Sequence, residues 1–139
     1  MTAFQKVDLR TGIALNVALA GDDDAPPVIL LHGYAQNSHM WRPLITELAK
    51  THLVIAPDLR GFGQSSRPES GYDKKTMAQD IHALSQSLGF KQVGVAGHTE
   101  ETAVGPDVLA HEIDTLVAAH LIFHGFVDGL NIGCLAHRA

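Results

Sequence analysis

The residues best placed to do chemistry lie in Lys91–Glu101, Lys-Gln-Val-Gly-Val-Ala-Gly-His-Thr-Glu-Glu. Gln92–Ala96 reads as a short buried strand that runs straight into a Gly-His-X turn. A strand ending in so sharp a turn can hold a nucleophile above a sheet, and the crowding there calls for small residues two before and two after it. Gly97 meets the first demand. Thr99 stands at the nucleophile position, where Ser, Cys or Asp would be expected, and Glu101 stands where Gly would be. A threonine hydroxyl also needs a general base within hydrogen-bond reach, and only scattered histidines are on offer. The elbow is present in outline and broken in its residues, so Thr99 is expected not to act.

Other clusters offer less. His120 and His124 are spaced i, i+4, which puts two imidazoles on one helical face, but no third ligand stands at a matching distance. No metal site is therefore expected. Asp58 and Arg60 could form a charged site, although a turn carboxylate accepting from nearby N–H groups is the simpler reading. His32 could be catalytic, but a buried histidine bonded to a loop carbonyl is the more common case. Trp41 reads as packing between a helix and the core.

The elements that must position these residues follow a regular order. Phe4–Leu9 and Ile13–Ala20 flank Arg10-Thr11-Gly12 and read as an antiparallel hairpin with one buried face. Val28–Leu31 and Leu53–Ala56 are continuous apolar runs of strand length, as parallel strands covered on both faces require. Trp41, Leu44, Ile45, Leu48 and Ala49 recur at helical spacing and predict a helix over Met40–Lys50. Asp73 can cap a second helix running to Leu88, with Met77, Ile81, Leu84 and Leu88 as its core stripe and Gly89 just past its end. Strand, helix, strand, helix, strand gives an α/β fold, an incomplete doubly wound parallel sheet entered by the hairpin.

The chain of 139 residues carries a net charge of −5, all of it contributed by the last 41 residues, where Arg138 faces six carboxylates. Lys is absent after Lys91, and four of the nine His lie in that tail. Such asymmetry marks a change of character near His98. Residues 1–98 are therefore one unit, and 99–139 a non-matching tail that is no independent domain. A helix is expected near Asp107–Leu121, with Val108, Leu109, Ile113, Leu116, Val117 and Leu121 on one face. Thr115–Ala136 is too interrupted by His120, His124, Asp128 and glycine to span a membrane. The N-terminus shows no signal peptide, and the single Cys134 suits a reducing compartment, so a cytoplasmic protein is expected.

Four pieces in this order and on these elements carry a resemblance. They are Leu31-His32-Gly33-Tyr34, Gln36-Asn37-Ser38-His39-Met40-Trp41-Arg42, Pro57-Asp58-Leu59-Arg60-Gly61-Phe62-Gly63-Gln64-Ser65-Ser66-Arg67-Pro68, and Ala96-Gly97-His98. Together, from about Val28 to His98, they resemble the N-terminal part of α/β-hydrolases of the epoxide hydrolase and haloacetate dehalogenase type. The resemblance implies a small-molecule substrate, no cofactor, and neither a nucleic-acid nor a membrane partner. It implies an oxyanion hole built from the backbone N–H groups of Tyr34 and Glu100, with His32, Gly33 and His98 as supporting loop residues. It also implies Pro where Ala35 stands, and Asp or Ser where Thr99 stands. The acid and the catalytic His of such a protein would follow His98, and no matching pattern is found there.

Two functional classes fit these residues. One is a hydrolase lineage whose chain is truncated or shifted out of frame after the nucleophile strand and is inactive on its own. The other is a non-enzymatic binding module on a remodelled hydrolase half-fold. The coding DNA separates them: family motifs in another frame downstream of His98 would favour the first. In either class, a bare edge on the strand ending at Ala96 makes self-association an expectation.

Overall fold

A computed structural model describes residues 2–33, 35–97 and 117–118. Its strands are β1 (Ala3–Asp8), β2 (Ala14–Ala20), β3 (Pro27–Leu31), β4 (Leu53–Pro57), β5 (Gly94–Gly97) and β6 (Val117–Ala118). The helices are α1 (Arg42–Leu48), preceded by a 3₁₀ turn at Ser38–Trp41, and α2 (Lys74–Ser87). The strands form one sheet in the order β1-β2-β4-β3-β5-β6. β1 and β2 make the antiparallel entry, and β2 pairs antiparallel with β4. β3 pairs parallel with both β4 and β5.

The apolar pattern explains both layers. On one face, Trp41 and Ile45 pack with Ala18, Ala20, Leu30, Val54, Ala56 and Ala96. On the other, Met77, Ile81 and Leu84 of α2 pack with Leu15, Val17, Ile29, Leu31, Ile55 and Val95. Alternate residues of β3 and β4 thus feed opposite layers, and every residue of β4 is buried. This is why their sequences read as unbroken apolar runs rather than alternating ones. β2 is shared in the same way, since Leu15 and Val17 face α2 while Ala18 and Ala20 face α1.

Caps and turns set the element ends. Asp73 accepts from the Thr76 N–H at 2.9 Å and so caps α2. Met40–Lys50, expected as one helix, is divided. Asn37 caps the 3₁₀ turn, accepting from the His39 N–H, and Pro43 then opens α1, where its missing N–H costs nothing. β5 begins two residues later than Gln92, at Gly94.

One expectation is corrected. Val117–Ala118, assigned by spacing to a helix near Asp107–Leu121, is instead a strand paired parallel with Gly94 and Val95. Helical spacing of Val108, Leu109, Ile113, Leu116, Val117 and Leu121 is overridden at Val117–Ala118 by tertiary pairing, which local periodicity does not register. The outer edge of β5 offers unpaired backbone groups that a strand can satisfy. The rest of that segment lies outside the described residues.

Candidate active site

The chain crosses from β3 to β4 through α1 on one face, and from β4 to β5 through α2 on the other. The strand order therefore reverses at β3, and in sheets of this kind a ligand is expected outside the carboxyl ends of the strands at that point, here β3 and β5. Leu31 and Gly97 are register partners, so the loop entered at His32 stands beside the point where the chain leaves β5. Of the residues singled out by sequence, His32 and Gly33 are described and buried. Tyr34, His98, Thr99 and Glu100 lie outside the described residues, as do His120 and His124.

His32 is fully buried, and both ring nitrogens are engaged. Nδ1–H donates to the Gly33 carbonyl at 2.9 Å, and Nε2 accepts from the Leu59 N–H at 2.9 Å. Only the neutral tautomer with its proton on Nδ1 satisfies both bonds. The Phe62 ring meets the imidazole edge-on at 5.4 Å. His32 thus ties the loop after β3 to the loop after β4.

Burial pushes the His32 pKa below its usual 6.5, outweighing the Gly33 carbonyl and the Asp58 charge, which act the other way. The unfolded chain therefore takes up a proton near pH 6.5, where the folded chain does not. This contribution to stability is fully present above about pH 6.5 and is lost as pH falls towards the folded value. His32→Gln keeps a donor and an acceptor, so denaturation midpoints at pH 7.5 and 5.5 should differ less in the variant than in the parent. Equal differences would show that His32 does not carry this dependence.

Asp58 organises the loop after β4. Its Oδ1 accepts from the Ser38 N–H at 2.8 Å, and its Oδ2 from the Gln64 N–H and Asn16 Nδ2, both at 3.0 Å. Burial raises its pKa, but these bonds to Gln64, Ser38 and Asn16 outweigh it and leave the carboxyl below its ordinary value. Every oxygen is spent on holding loops, as the turn reading expects. Gly63, at φ 52°, leaves room for this carboxylate, since a Cβ there would stand 2.2 Å from Oδ2.

Sequence reasoning missed Gln36. Its side chain accepts from the Gly33 N–H at 3.2 Å, while its own N–H donates to the Gly33 carbonyl at 3.3 Å. Asn16 was also missed, although a lone amide among the apolar residues of β2 was a visible signal. Ala35 adopts φ 58°, where a proline ring, fixed near −65°, cannot sit. Among the described residues, no three His, Cys, Asp or Glu side chains are grouped to hold a metal ion.

The alpha/beta hydrolase fold model matches residues 26–98, just over half of the chain. This chain belongs to the alpha/beta hydrolase family. Its membership is carried by the segment from β3 to His98, which includes the three parallel strands β3, β4 and β5 and both crossovers. The chain is 51% identical to the soluble epoxide hydrolase of Corynebacterium sp. (strain C12) over 72 residues, 52% of this chain and 25% of that protein. It is 32% identical to the fluoroacetate dehalogenase of a Burkholderia species over 111 residues, 76% of this chain and 36% of that protein. Among solved structures, the epoxide hydrolase CorEH without ligand superposes with a TM-score of 0.78 at 32% identity, over 95% of this chain and 48% of that one. This hydrolase-family chain thus spans between 25% and 36% of the length of those two curated relatives.

Proposed function

We propose that this chain supplies the scaffold of an epoxide hydrolase or dehalogenase-like alpha/beta hydrolase, up to and including the nucleophile strand, and does not itself turn over substrate. The observation that carries this reading is at the elbow, where Thr99 and Glu101 replace the nucleophile and the small residue its turn requires. The engagement of His32 removes one candidate base. His32 is the one fully buried imidazole among the described residues, and neither nitrogen is free to serve as a base. Tyr34 and Glu100 are proposed as the backbone donors of an oxyanion hole, with Gly33 and His98 shaping the loops around it. The relatives' small-molecule chemistry, on epoxides or haloacids, is the substrate class of the lineage, and no cofactor is proposed. An aryl epoxide, fluoroacetate and p-nitrophenyl acetate should each be consumed at the buffer rate. Turnover above that rate, abolished by Thr99→Val, would overturn the proposal.

A second reading, a binding module with an occupant at the strand ends, is favoured by one observation: Val117–Ala118 adds a strand to β5. Among the described residues, this pairing engages Gly94 and Val95. Self-association through the rest of that edge is proposed, and a monomeric mass by light scattering at high concentration would refute it. No helix among the described residues is long and apolar enough to cross a membrane. A cytoplasmic location is proposed on the strength of the single Cys134.

A further inference from the structure

A cleft, of about 350 Å³, lies between the β1–β2 turn and the flank of α2, lined by Arg10, Thr11, Gln79 and His82. None of these lining residues belongs to the loops that leave β3 and β5. The turn is closed by the Leu9 N–H donating to the Ile13 carbonyl and by the Gly12 N–H donating to that of Leu9. Gly12 takes φ 88°, which holds Arg10 and Thr11 at the tip. Gln79 and His82 are three residues apart on α2 and so share a face. Leu9 and Ile13 on one side, and Ala78 and Ile81 on the other, anchor both walls in the core.

The chemistry of this cleft is one-sided. All four side chains can donate hydrogen bonds, one of them is a guanidinium, and none is a carboxylate. Two of their polar atoms, Thr11 Oγ1 and His82 Nδ1, are buried without a hydrogen-bond partner. Buried polar atoms are nearly always paired, and leaving one unpaired is costly. Both atoms belong to side chains that line the cleft. An acceptor-only group there would satisfy four donors together, and Arg favours planar two-point contact with such a group. We propose that this cleft binds a small oxyanion, a carboxylate or a phosphate, through Arg10, Thr11, Gln79 and His82.

The test is equilibrium dialysis of the full chain against radiolabelled inorganic phosphate and, in a separate arm, labelled acetate. Saturable binding of one equivalent per chain is expected, weakened about tenfold by Arg10→Ala and less by the isosteric Thr11→Val. Saturation by phosphate alone assigns the site to phosphate esters, by acetate alone to carboxylic acids, and by both to either group. In the unaltered chain, the saturating ion should slow phenylglyoxal labelling of Arg10 but not of the exposed Arg42 and Arg67. Saturation by neither ion, binding untouched by both substitutions, or no selective protection of Arg10 would each overturn the assignment.

Discussion

Asp80→Ala is expected to cost the fold about 3–5 kcal/mol, because it strands a buried cation. Arg60 Nε donates to Asp80 Oδ2 at 2.8 Å, and the Nη2 group donates to Oδ1 at 2.9 Å, in a two-point pair. The remaining guanidinium nitrogen, Nη1, donates to the Ser70 carbonyl at 3.1 Å. The two side chains are only 8% and 2% exposed, so water cannot replace the lost partner. The hydrogen bonds to Asp80, ahead of the opposing effect of burial, hold the guanidinium firmly charged. Neutralising it is therefore no escape. Gly71 makes the space, since a Cβ there would stand 2.1 Å from Arg60 Nη1. The pair joins the loop after β4 to the middle of α2, and a domain of this size has roughly 5–15 kcal/mol in total. Urea denaturation should show a large fall in midpoint for Asp80→Ala and substantial recovery in Arg60→Met with Asp80→Leu, which removes both charges. A single variant within about 1 kcal/mol of the parent would mean that the pair contributes no more than a surface bridge does.

The double variant Thr99→Asp with Glu101→Gly is expected to react at most once. It restores the residue types of the relatives' elbow, and an aspartate there could open an epoxide or displace a halide to form an ester. Release of product then needs water activated by a histidine, itself oriented by an acid. His32 cannot serve, because its Nδ1 proton and Nε2 lone pair are both committed. The expected result is a single covalent adduct on Asp at position 99, seen as one mass shift, with no further consumption of substrate. Repeated turnover abolished by replacing His111, His120, His124 or His137 would show that the tail supplies the base, and the scaffold reading would fall.

Much of the fold was legible because burial on two faces leaves an unmistakable trace. β3 and β4 feed both layers, so their sequences are uninterrupted apolar runs. The stripe Met77, Ile81 and Leu84, together with the cap at Asp73, placed α2 nearly to the residue. The division of Met40–Lys50 was less visible, since Trp41 and Ile45 keep helical spacing across the junction, and only Asn37 and Pro43 betray it. β6 was misread because the six large apolar residues from Val108 to Leu121 keep helical spacing, while the partner that makes Val117–Ala118 a strand is β5, more than 20 positions away. In the site, His32 could be assigned a loop-tying role from residue type, but its second partner, the Leu59 N–H, is 27 positions away and invisible to local pattern. The same holds for Asp58, whose partner Asn16 is 42 positions distant.

The layered core has a consequence for how the chain is made. Every buried apolar residue described in either cluster lies at or before Ala96. During synthesis from the N-terminus, this described core has therefore been joined before Thr99 is added, and domains consolidate as their segments emerge. Nothing in that core depends on the identity of residue 99 or 101. A nascent chain can accordingly lose its chemistry at the elbow without losing the nucleus around which it condenses, and the ribosome has no means of telling the two kinds of product apart by their early folding.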